Sequence, residues 1–114
     1  MDRLNEMTDR NAENLREIIE LFCRQTKHQF TQLQTAIAAN QPAEVRRVAH
    51  SCAGSSGTLG MMRLSTLMRQ LEKAGAADAL TDAARICDDA RQEYEAVKLF
   101  LAAQPGLAAT MAAA

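Results

Sequence analysis

The stretch AHSCAGSSGTLG, residues 49–60, decides how this chain is read. It holds one histidine, a run of small residues and three glycines, in a chain otherwise rich in helix-forming residues. A core helix would carry leucines there. The stretch therefore reads as the end of a helix with one bare, accessible face, closed by the GTLG break that turns the chain into another helix.

Working upstream, AANQPAEV ends one helix and begins the next. Pro42 suits the first helical position, where its missing N–H would be unpaired anyway, and Glu44 lies near the positive end of the helix dipole. Val45, Val48, Ala49, Cys52 and Ser56 are expected to face inward from this second helix. The first helix is expected to start after Thr8 or Asn11, either of which can cap it. Its apolar stripe reads Leu15, Ile18, Ile19, Phe22, Phe30, Leu33 and Ile37, at helical spacing. Thr26 and Gln29 interrupt that stripe, which predicts a solvent-exposed turn or a partner surface. Glu20 and Arg24 have a favourable outer-face spacing.

Downstream, a third helix is expected from about Met61 to Ala74, with Leu64, Leu67, Met68 and Leu71 as its stripe and Gly75 as its stop. Met61 and Met62 read as core filler, with the border of a partner-docking surface as the alternative because they follow the histidine-bearing stretch. A fourth helix is expected from about Asp78 to Ala103, with Leu80, Ala84, Cys87, Tyr94, Val97 and Leu101 on one face. Pro105-Gly106 ends it, and the Ala-rich tail 105–114 is expected to be frayed or disordered. Four amphipathic helices with short links predict an all-α fold, an antiparallel up-down four-helix bundle, over residues 1–104.

Composition agrees and excludes several functions. The chain has 114 residues, enough for one domain, is 47% hydrophobic and only 4% aromatic, and carries a net charge of −1. That charge gives no reason to expect a nucleic-acid or membrane partner. The N-terminus MDRLNEMTDR is charged and lacks the apolar core of a signal peptide. The three cysteines, Cys23, Cys52 and Cys87, are odd in number and have no Cys-x-x-Cys spacing. They read as buried free thiols in a reducing cytoplasm, with no disulfide framework and no metal site. No phosphate loop is present.

On a helical wheel His50 shares its face with Arg46 and Arg47 one turn before it and with Ala53 and Gly54 one turn after. Gly54 inside a helix costs about 1 kcal/mol relative to alanine. One candidate reason for keeping it is access: without a side chain at 54, another molecule can approach the imidazole. A neutral ring nitrogen there can act as a nucleophile toward a phosphoryl group, and residue type alone also fits a surface histidine with no role. Arg46 and Arg47 would balance the added charge, and Ser55 would hydrogen-bond to it. His28, beside Lys27, reads as a solvated residue.

The run His50-Ser51-Cys52-Ala53-Gly54-Ser55-Ser56-Gly57-Thr58-Leu59-Gly60 resembles the motif of histidine-containing phosphotransfer (HPt) domains. That motif is His, any residue, a hydrophobic residue, Lys, Gly, two positions of Ser or Ala, two free positions, a hydrophobic residue and Gly. Leu15, Ile18, Ile19 and Phe22 are similar to the family's first helix, and Leu64, Leu67, Met68 and Leu71-Glu72 to its third. The resemblance implies a phosphocarrier without a kinase site of its own. His50 would accept a phosphoryl group from a receiver-domain aspartate, in a response regulator or a hybrid sensor histidine kinase, and pass it to another receiver. It implies no cofactor on this chain, with Mg²⁺ on the partner receiver, and a cytoplasmic monomer. One position departs from the pattern: Ala53 stands where the family has lysine, and Arg46 or Arg47 is expected to replace that charge in part. The alternative is a docking module with weakened transfer, which binds a regulator or kinase through the same shape.

Overall fold

The computed structural model describes the backbone of residues 2–104 and the side chains of residues 14–104. The tail 105–114 lies outside the described residues. The described chain is all-helical: α1 (Asp2–Ala38), α2 (Pro42–Thr58), α3 (Met62–Ala76) and α4 (Ala83–Ala102). Helices α1 and α3 each pack against both α2 and α4, and the described residues bring neither α1 to α3 nor α2 to α4. The four helices thus form a closed ring around one core.

The core is built of medium and small side chains. Phe22, Phe30, Leu33, Val45, Val48, Leu64, Met68, Leu71, Ile86 and Tyr94 are all buried. The inward residues expected for α2 (Val45, Val48, Ala49, Cys52 and Ser56) are all buried, as are Leu64, Met68 and Leu71 of α3. Tyr94 ties α4 to α1. Its hydroxyl donates to the Cys23 carbonyl at 3.1 Å, and its ring lies 5.6 Å from that of Phe30 and 6.3 Å from that of Phe22. A buried phenol needs such a partner to offset its desolvation.

Three helices end in the same way. Asn40, Gly60 and Asp78 have positive φ, at 52°, 79° and 53°. Behind each, the next N–H reaches back to a carbonyl five residues earlier: Gln41 to Ala36 at 2.8 Å, Met61 to Ser56 at 2.8 Å and Ala79 to Ala74 at 2.9 Å. These are Schellman ends, which satisfy the last carbonyls of the helix.

Several boundaries and faces differ from the sequence expectation. Helix α1 runs through Thr8 and Asn11 because nothing from Asp2 to Asn14 breaks a helix; the segment has no glycine or proline. Leu15 and Ile18 are each 48% exposed, because they lie toward the end of the bundle and off the packed face. Cys23, Thr26 and Ala36 take inward positions on α1 instead. Thr26 is fully buried, not solvent-exposed, and its hydroxyl has no hydrogen-bond partner among the described residues. Met62 is 64% exposed and so is not core filler, while Met61 is half-buried. Helix α4 starts at Ala83, because Asp78 adopts the left-handed conformation and residues 79–82 form the link. Ala84 faces solvent, and Ala83, Ile86 and Ala90 pack inward.

Gly75 does not stop α3, which continues to Ala76. Its role is close packing: a Cβ there would lie 2.6 Å from the Pro42 carbonyl oxygen and 2.7 Å from the Arg46 nitrogen. At the other end of the same pair, Gly57 faces Ser65, whose hydroxyl donates to the Ala53 carbonyl at 2.9 Å. Helices α2 and α3 therefore approach closely at both ends. The stretch between these two points carries His50.

Candidate functional site

His50 sits at the middle of α2, with its side chain 73% exposed. Its Nδ1 lies 2.5 Å from Oε2 of Glu72, which reaches across from α3. A carboxylate only accepts, so Nδ1 donates in this pair, and in the neutral form of the ring the lone pair then lies on Nε2. Glu72 is mostly covered, at 21% exposure, and Arg69 lies 3.9 Å from its other oxygen. The close α2–α3 contact at Gly75 sets the distance across which Glu72 reaches. The ring is thus held by one nitrogen and offered by the other.

The two arginines expected beside His50 are both exposed on α2 and differ in their partners. Arg47 is engaged: its Nε donates to Glu44 at 3.1 Å, and Nη2 donates to the other carboxylate oxygen. The hydrogen bonds from Arg47 hold the Glu44 carboxyl below its ordinary pKa. Arg46 makes no ion pair among the described residues. Arg46, Arg47 and His50 line a groove of roughly 560 Å³ between α2 and α3, together with Ala43, Glu72, Lys73 and Ala76.

Ala53 requires a correction. It is fully buried, so it does not share the exposed face of His50. The wheel places it only about 60° from His50, but α3 lies on that side and covers it. Ser55 is half-buried, and its hydroxyl turns back to the carbonyls of Ser51 (3.2 Å) and Cys52 (3.3 Å) rather than out toward a ligand. Gly54 is exposed, and a Cβ built on it would meet nothing within 4 Å. No packing within the described chain accounts for that glycine. His28 is exposed on α1.

Glu72 and Lys73 are the residues that sequence reasoning missed as parts of the site. Their signal was present in the run Leu71-Glu72-Lys73, where a carboxylate and an amine directly follow a core leucine. Nothing in a single helix said that this edge of α3 would meet His50.

The motif, the four helices and the exposed ring point in one direction, and a family comparison decides it. The model of the Hpt domain matches residues 17–100, well over half of the chain. This chain belongs to the Hpt domain family. No curated protein and no solved structure matches it. Hpt domains are phosphocarrier modules that interact with receiver domains in two-component phosphorelays, so the role of this chain lies in phosphotransfer signalling. No described helix of this Hpt domain is long and apolar enough to cross a membrane. Among the described residues no cluster of three or more His, Cys, Asp or Glu side chains could hold a metal ion.

The cysteines of the Hpt domain lie apart from the groove. All three are free and buried. Burial pushes the Cys52 and Cys87 thiols up to about 11, and also raises Cys23. They are protonated at neutral pH and poor nucleophiles.

Proposed function

We propose that this Hpt domain relays phosphate through His50. Nε2 attacks the phosphorus of an aspartyl phosphate on a receiver domain. The P–O bond to the aspartate breaks as the P–Nε2 bond forms, and the carboxylate leaves with its electron pair. The ring keeps its Nδ1 proton and becomes cationic, and Glu72 balances that charge. The reverse step on a second receiver discharges the carrier. Mg²⁺ in this reading belongs to the receiver, and Arg46 lies near enough along α2 to meet the phosphoryl group.

The observation that carries the reading is the His50 ring, 73% exposed and held at Nδ1 by Glu72 at 2.5 Å. Gly54 supports it, since the open space above it leaves room for a docked partner. An antiparallel up-down order of the helices belongs to the same proposal. It rests on links of residues 39–41, 59–61 and 77–82, too short for crossover connections, and on the closed ring of packing. Buried free thiols favour a reducing cytoplasm, and we take the carrier to act there as a monomer.

Ala53 favours a second reading, a docking module with weakened transfer, because the cation of the motif is missing. One experiment separates the two. The protein is titrated with a receiver domain while transfer from the phosphorylated receiver is followed. Binding with transfer to His50 supports the relay, and binding without transfer supports the docking module. Neither binding nor transfer across a panel of receivers would refute both.

A further inference from the structure

We propose that Lys73 on α3 supplies the positive charge for phosphorylated His50 that the motif elsewhere supplies from α2. The inference rests on His50 being the phosphoacceptor and adds the group that meets the new charge.

Three observations converge on Lys73. The motif position for the cation is Ala53, and that position is fully buried under α3. Arg47 spends its guanidinium on Glu44. Lys73, by contrast, is exposed, lines the same groove as His50 and makes no ion pair among the described residues.

The groove explains why the charge can come from across the helix pair. Ala43 on α2 and Ala76 on α3 line it with methyl groups, leaving space between Arg46 and Lys73. Glu72 and Lys73 are consecutive on α3, so one helix edge presents a carboxylate to Nδ1 and an ammonium to the groove. Lysine suits this position, since its long stem and rotatable donors can follow a phosphoryl oxygen as transfer proceeds. Arg46 flanks the group from α2. Together they place two cations, neither ion-paired among the described residues, beside a group that brings up to two negative charges.

The test uses phosphoramidate, a small donor that removes receiver docking from the measurement. Its P–N bond breaks as the P–Nε2 bond forms, and ammonia leaves. The full chain is compared with Lys73→Gln, Lys73→Arg and His50→Gln, all checked for native helicity by circular dichroism. Loading is followed by ³¹P NMR at low and high salt. Lys73→Gln is expected to load about five-fold more slowly at low salt, with the difference shrinking as salt screens the charge. The ionisation of the phosphoryl group is expected to move up by about half a pH unit in Lys73→Gln. Lys73→Arg restores both. Wild-type loading, salt dependence and phosphoryl titration in Lys73→Gln would overturn the role of Lys73 while leaving His50 as acceptor. Labelling that persists in His50→Gln would overturn the reading on which it rests.

Discussion

Two glycines in this fold should respond in opposite ways to the same methyl group. Gly75 lies where α3 meets α2, and a Cβ there would stand 2.6 Å from one backbone atom and 2.7 Å from another. Neither atom can rotate away, so the helices must part. Overpacking of this kind costs about 1–3 kcal/mol, and the better helix propensity of alanine returns about 1 kcal/mol. Gly75→Ala should therefore lose about 1 kcal/mol, or about 5 °C in Tm for a domain of this size. Gly54 is also inside a helix, but its Cβ would meet nothing. Gly54→Ala should gain about 0.5–1 kcal/mol from propensity alone. Urea unfolding followed by circular dichroism measures both. The functional effects should differ as well. Gly75→Ala moves Glu72 away from His50 and slows loading by phosphoramidate. Gly54→Ala narrows the approach to the ring and slows transfer from a receiver. A Gly75→Ala protein as stable as wild type would refute the close α2–α3 contact. A destabilised Gly54→Ala protein would refute the claim that this glycine serves something outside the chain.

Other substitutions probe separate parts of the account. Glu72→Ala frees Nδ1, and should slow phosphorylation of His50 about ten-fold while ³¹P NMR resolves a mixture of Nδ1 and Nε2 phosphohistidine in place of one isomer. Thr26→Val removes a buried hydroxyl that has no partner among the described residues, and should stabilise the domain by about 1 kcal/mol in thermal or urea unfolding. The thiols set an alkaline limit: Cys52 and Cys87 rise from 9.0 in the unfolded chain to about 11 in the fold. Their contribution is whole below pH 9 and is lost as pH climbs toward 11, so unfolding free energy should fall across that window, and less steeply in a Cys52→Ala, Cys87→Ala variant.

Much of the fold was legible because helices declare themselves locally. The α2 pattern of Val45, Val48, Ala49, Cys52 and Ser56 is buried as its spacing predicts, and the turn at Gly60 is where the small-residue run ends. The misreadings have one cause, that neighbours decide exposure. Leu15 and Ile18 look like core but lie at the end of the bundle, while Thr26 looks like surface and is covered. Gly75 carries both signals, since a glycine near a helix end resembles a stop, and only the Pro42 carbonyl opposite reveals a packing contact. The site divides in the same way. His50, Arg46, Arg47 and Gly54 lie on one helix and follow from its periodicity. Glu72 and Lys73 come from another helix, and Ala53 is removed from the site by that same helix. A wheel drawn for α2 alone has no knowledge of α3.

The central claim, that Nε2 of His50 takes the phosphoryl group, is tested most directly by locating the phosphate. The protein is loaded with phosphoramidate, the isomer is read by ³¹P NMR, and the residue is mapped by mass spectrometry under alkaline conditions that preserve phosphohistidine. The account predicts a single acid-labile phosphoryl group on Nε2 of His50, absent from His50→Gln. Phosphate on His28, phosphate on Nδ1 of His50, or full labelling of His50→Gln would contradict it.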